Sequence, residues 1–150
     1  MSPPSCRLFS LAQGIDACFK TNNVNIGTNS CHGNYSCKDV SDSTIGNDSC
    51  QSWHGSCGSV QNSVIHDGSC QGDYSCYGVK YATIGKGSCN AGSDRNYSSC
   101  DDLVDNVKIG NNSCNGHKVC YECKHNVPDN ACNQWITDDI DIYGYCNYCL

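Results

Sequence analysis

Branched apolar residues return at two fixed places along this chain. The first is the isoleucine of Ile26-Gly27-Thr28-Asn29-Ser30-Cys31, which recurs as Ile45-Gly46-Asn47-Asp48-Ser49-Cys50, Ile65-His66-Asp67-Gly68-Ser69-Cys70, Ile84-Gly85-Lys86-Gly87-Ser88-Cys89 and Ile109-Gly110-Asn111-Asn112-Ser113-Cys114. The steps from Ile26 to Ile84 are nearly equal, and the last, from Ile84 to Ile109, is longer. The second place is Val40, Val60, Val79 and Leu103, each three residues beyond a second cysteine of the repeat. A unit this short cannot bury its own apolar side, but stacked copies share a continuous one. Helical repeats need roughly 33 residues or more. Frequent Gly, Ser and Asn, with β-branched residues at the fixed apolar sites, also disfavour helix. The pattern predicts an all-β, disulfide-stapled β-solenoid (a parallel β-helix) with coils of about 19 to 20 residues. About six coils at ~4.8 Å each would span roughly 29 Å. The isoleucines should stack inward. Gly27, Gly46, Gly85 and Gly110 should hold turns at positive φ, with His66 as the exception, and the serines before the cysteines should bond turn amides.

Cysteine spacing sharpens the register. The interval from a second cysteine to the next first one is the same for Cys18–Cys31, Cys37–Cys50, Cys57–Cys70 and Cys76–Cys89. It differs by a single residue for Cys100–Cys114 and Cys120–Cys132. The interval from first to second cysteine, by contrast, more than doubles between Cys31–Cys37 and Cys132–Cys146. A constant segment must stack on its neighbours; a variable one is a surface loop. The chain reads as a single domain over 1–150, with an N-terminal cap over 1–17, repeat coils over 18–120 and a divergent, irregular C-terminal cap over 121–150. The simplest pairing closes each variable loop: Cys6–Cys18, Cys31–Cys37, Cys50–Cys57, Cys70–Cys76, Cys89–Cys100, Cys114–Cys120 and Cys132–Cys146, with Cys123–Cys149 across the C-terminal cap. Vertical bridges between equivalent cysteines of adjacent coils are the alternative, since the strand spacing suits them.

Composition says why the sulfur is needed. Leu, Ile, Val and Phe total 24 of 150 residues, below the roughly 20% at which packing alone becomes insufficient. The 16 Cys supply the missing cohesion and point to an oxidising compartment. The opening residues, from Met1 to Lys20, lack the apolar stretch of a signal peptide. The cysteine density outweighs that absence, and a secreted or cell-surface setting is expected. The net charge is −6, with Arg7 and Arg95 the two arginines and no basic stripe, so nucleic acid is not an expected partner. No apolar run approaches the ~20 residues of a transmembrane segment.

The units Cys31-His32-Gly33-Asn34-Tyr35-Ser36-Cys37 and Cys70-Gln71-Gly72-Asp73-Tyr74-Ser75-Cys76, joined to Ile-Gly-x-x-Ser-Cys, resemble the Cys-rich right-handed β-helix repeats of microalgal surface proteins, over about residues 18 to 123. The resemblance implies a fold and an extracellular setting. The Cys-x-Gly-x-Tyr element is also similar to the repeat of midge antifreeze solenoids, whose stacked tyrosines form an ice-binding face.

Candidate chemistry is sparse. Cys120-x-x-Cys123 with Cys146-x-x-Cys149 has zinc-ribbon spacing, as an alternative to disulfides. The sequons at Asn34, Asn47, Asn96 and Asn111 predict N-linked glycans. Asp101, Asp102, Asp105 and Asp138, Asp139, Asp141 offer carboxylates for calcium, or charged loops. The aromatic series Tyr35, Trp53, Tyr74 and Tyr97 is the candidate ice-binding ladder, while the residues before the isoleucines (Asn25, Thr44, Val64, Thr83, Lys108) make no threonine ladder. His32, His54, His66, His117 and His125 have no spacing that implies a base or a ligand set. No enzyme and no cofactor are expected. The expectation is a non-enzymatic extracellular structural or interaction protein, a candidate subunit of a surface layer or filament self-assembling through its caps. Trp135, Tyr143, Tyr145 and Tyr148 lie in the C-terminal one. An ice- or carbohydrate-binding solenoid is the alternative.

Overall fold

The computed structural model describes residue 14, residues 17–91 and residues 98–133. Its strands are β1 (Asn25–Ile26), β2 (Thr44–Ile45), β3 (Val64–Ile65), β4 (Thr83–Ile84) and β5 (Lys108–Ile109). They pair in parallel in sequence order, one strand per coil. The register places isoleucine on isoleucine at every step: Ile26 on Ile45, Ile45 on Ile65, Ile65 on Ile84 and Ile84 on Ile109. The last pairing absorbs the longer interval without a slip. The fold is thus an all-β, disulfide-stapled solenoid, and among the described residues it contains no helix.

Alternation within each short strand turns the isoleucine inward and its predecessor outward. Ile26, Ile45, Ile65, Ile84 and Ile109 are buried, whereas Asn25, Thr44, Val64 and Lys108 are exposed. The second interior column is Val40, Val60, Val79 and Leu103. Val24, Ser43, Ser63, Ala82 and Val107 make a third. Three columns of small and medium side chains are a thin core, and polar ladders supplement it. Ser49 Oγ accepts the Ser69 N–H at 3.3 Å and donates to the His66 carbonyl at 3.0 Å. Ser88 repeats this toward Ser113 and Gly110, at 3.0 and 2.7 Å. These buried serines do bond amides, but the amides belong to the next coil.

The glycines after the isoleucines are not at positive φ. That conformation lies two residues later, at Asn29, Asp48, Gly68, Gly87, Asn112 and Asn130, with φ of 54, 52, 68, 68, 50 and 60°. Only Asn, Asp and Gly occupy that column, the residues that enter the left-handed region at least cost. Gly46 is required for space instead: a Cβ there would sit 2.5 Å from the Asp67 backbone nitrogen and 2.6 Å from its Oδ1. That Oδ1 accepts the Asn47 N–H at 2.7 Å. Asn47, Asn111 and Asp129 cap the preceding coil in the same way, at 2.8, 2.9 and 2.7 Å. At the step where the next coil carries Lys86 instead of Asn or Asp, His66 stands in place of the glycine.

Coil stacking also runs past residue 120. Val127 bridges Ile109, Asp129 caps the Asn111 N–H, and the Ala131 N–H donates to Ser113 Oγ at 3.1 Å. Residues 121–133, assigned from sequence to the irregular cap, therefore continue the repeat, with Val127, Pro128 and Ala131 where earlier coils have Ile, Gly and Ser. Cys123 occupies the Val40–Leu103 column and is buried.

Candidate interaction face

Each coil leaves the constant path at its first cysteine and rejoins it at its second. The structure joins Cys31–Cys37, Cys50–Cys57, Cys70–Cys76, Cys89–Cys100 and Cys114–Cys120, with Cα separations of 5.5, 5.6, 5.6, 5.7 and 6.0 Å. All ten sulfurs belong to fully buried residues. These bridges close loops within coils and none is vertical. Successive bridges do pack together: the sulfurs of Cys100, Cys114 and Cys120 lie within 4.8 Å of one another. Among the described residues, every first cysteine of the column, including Cys132, adopts positive φ, between 56 and 60°.

The zinc reading fails at its first ligand, because Cys120 is bonded to Cys114 and offers no thiolate. Cys123 and Cys132 are also in disulfides. Their expected partners Cys149 and Cys146 lie outside the described residues, as does Cys6, the expected partner of Cys18. Cys18 packs half-buried against the core. Asp101 accepts a hydrogen bond from Ser98 at 3.3 Å, and Asp101, Asp102 and Asp105 do not bring three ligand oxygens together. Asp138, Asp139, Asp141, the sequon at Asn96, Tyr97 and the C-terminal aromatics lie outside the described residues.

Because the cystines are stacked, loops 32–36, 51–56, 71–75 and 115–119 emerge on one side. Aromatic residues concentrate there. Trp53 is 78% exposed and Tyr35 42%. The His54 ring stacks on Tyr74, centroids 6.5 Å apart, and Tyr74 meets Tyr77 edge-on at 5.9 Å. The Lys38 ammonium sits over Tyr35 at 5.1 Å. Gly55 stands between Tyr35 and Tyr74 in the repeat, so the tyrosine series is interrupted rather than a continuous ladder.

Asp73 ties two loops together. Its Oδ1 accepts the Ser52 hydroxyl and, at 3.1 Å, the His54 N–H, while Oδ2 lies 3.8 Å from His54 Nδ1. These are the residue types of a nucleophilic triad in the wrong order: the hydroxyl donates to the carboxylate, not to the imidazole. The arrangement is a cross-coil clamp. Beside it a cavity of about 380 Å³ opens between the first two loops, lined by Gly14, His32, Gly33, Asn34, Gln51, Ser52 and Trp53. His32 Nε2 is buried there without a hydrogen-bond partner. The repeat consensus gave no hint of this site, since its walls come from successive coils; the extra residue of the 50–57 loop was the available signal.

The turn side carries the sequons. Asn47 and Asn111 are exposed, and each points its Oδ1 inward to cap the preceding coil. Ser49 and Ser113, which complete those sequons, are buried in the serine ladder. Asn34 is half-buried on the loop side.

The family model described as a domain of unknown function (DUF7640) matches residues 10–103 and again residues 50–138. The chain belongs to the DUF7640 family. The second DUF7640 match begins about two coils after the first, as a stack of equivalent coils permits. No curated protein and no solved structure matches the chain. Among the described residues of this DUF7640 member, no helix is long and apolar enough to cross a membrane.

Proposed function

We propose that the chain is a non-enzymatic, extracellular structural and interaction module, a building unit of a surface layer or filament. One observation carries this reading. The near-constant segment is spent on stacking, while the larger changes in length fall inside disulfide-closed loops on one side. A covalently fixed rod with one variable face is suited to presentation and contact rather than to turnover. Buried cystines in every coil support an oxidising, non-cytosolic setting. Self-assembly would extend the same parallel ladder from one copy to the next. Light scattering and negative-stain electron microscopy of the fully disulfide-bonded protein test this: ordered filaments or sheets should grow with concentration, and a strictly monomeric rod at every concentration would remove the building-unit reading.

Glycans on Asn47 and Asn111 belong to the same proposal. Their carbonyl oxygens make the coil cap and both residues are exposed; Asn111 Nδ2 also donates to Asp129 Oδ2 at 3.4 Å, and a glycosylated amide keeps one N–H for that bond, so a glycan there leaves the coil cap intact. Mass spectrometry of peptides released by an amidase in heavy-oxygen water reads each site directly. A carbohydrate-binding role is supported by the Trp53 cavity. Ice binding has less support, because neither the interrupted tyrosine series nor the Asn25, Thr44, Val64, Thr83, Lys108 row offers a flat regular array.

A further inference from the structure

We infer that the cavity between the first two loops is a subsite for one or two neutral sugar units of an extracellular glycan. The inference rests on the interaction-module reading and names the partner class of its variable face. Four observations converge on it. The 50–57 loop is one residue longer than its neighbours, with a sequence separation of 7 against 6, and the longer loop holds Trp53, among the described residues the most exposed large apolar side chain. An indole displayed at a cavity rim offers a flat face to the C–H side of a pyranose ring. The cavity wall supplies the complementary polar groups. His32 lines the same wall, with its Nε2 turned into the protein and its ring beside the cavity. Gln51 is oriented by its Nε2 donating to the Asn29 carbonyl at 2.5 Å, which leaves its oxygen to accept from a hydroxyl.

Among the described residues that line it there is no Lys, Arg, Asp or Glu. A phosphate, a sulfate or a cation would therefore enter without a counter-charge, whereas a neutral polyol needs none. The volume of about 380 Å³ suits one or two sugar rings. The walls supplied by residues 32–34 and 51–53 are closed by cystines, Cys31–Cys37 and Cys50–Cys57, so those walls lose little order on binding.

The test uses the full, disulfide-bonded chain against neutral oligosaccharides (β-glucan, chitin, mannan and galactan oligomers) together with sulfated and phosphorylated ones. Binding is read on an array and by indole fluorescence in a Trp135→Phe background, which leaves Trp53 as the fluorophore. A neutral class should bind and shift the emission. Trp53→Ala should lose about 30-fold in affinity and His32→Ala about tenfold, while Tyr81→Ala, an exposed aromatic away from the cavity, should bind as the parent does. Intact mass confirms that each variant retains its cystines. No neutral sugar bound, acidic sugars alone bound, or binding undiminished in Trp53→Ala overturns the inference. None of these results bears on filament growth, so the two readings fail separately.

Discussion

Glycine meets two different demands within one turn of this coil, and the two can be told apart by substitution. Gly46 has ordinary φ but no room, with the Asp67 backbone nitrogen 2.5 Å from where a Cβ would stand. Gly68 has room but a φ of +68°, with nothing within 4 Å. Gly46→Ala should cost about 3 kcal/mol, since backbone must shift, and Gly68→Ala about 1 kcal/mol. Urea titration with the cystines intact reads both, and equal losses would contradict the distinction. Tyr121 gives the one pH-dependent expectation. Burial, a hydrogen bond with Glu122, and the charges of Glu122, Asp101 and Asp102 push its phenol from 10.0 up to about 12. The folded state holds that proton more tightly than the unfolded chain. Its contribution to stability is therefore complete below about pH 10 and is lost as the pH rises through about 12. A tyrosinate absorbance titration should show a late step that Tyr121→Phe removes. At this scale the sequence was only partly legible. The Ile-Gly pair was visible, but the reason for the glycine was not, because the atom it avoids comes from the following coil. The tie between His66 and Lys86 was present in the letters, yet it takes the register to connect them.

Within a single coil, the cystine and the constant segment divide the labour. The bridge fixes where the loop departs and returns, and the serine and Asx ladders fix the height of the next coil. Replacing one central bridge, Cys70→Ala with Cys76→Ala, should cost about 2 kcal/mol through the short loop it closes, while the coil keeps its register. A denaturant titration and a thiol count check both halves of that statement. Cysteine spacing made this arrangement readable in advance, because the interval between one loop and the next recurs while the loop lengths do not. Residues 121–133 were less readable for a physical reason. Val127, Pro128 and Ala131 keep the roles of Ile, Gly and Ser without keeping the letters, and Cys123, a filler of the apolar column, reads as half of a metal motif when only its Cys-x-x-Cys spacing is seen. The Trp53 cavity left a single signal, the extra residue of the 50–57 loop, since a site shared between coils has no signature within any one of them.

A stack of near-identical coils should behave as a one-dimensional array, each unit stabilised by itself and its two neighbours. This makes the molecule's length an experimental variable. Deleting residues 66–84 joins Ile65 to Gly85, removes one whole coil with its Cys70–Cys76 bridge, and leaves Ile26, Ile45, Ile65 and Ile109 facing inward. It also eliminates the His66 step, so the new junction has Gly85 stacked toward Gly110 and Asn111 as before. The shortened chain should fold, form its remaining bridges, and unfold with a denaturant dependence reduced by roughly the share of one coil. Removing residues 58–66 takes out a shorter piece, but from the constant segment between Cys57 and Cys70. It deletes Val60 and Ile65 from two interior columns and leaves no path to the next coil. That chain should emerge with free thiols and no cooperative transition. If the two deletions proved equally tolerable, stability would reside in the cystines alone and the stacked register would be incidental; if both failed, the coils would not be independent units.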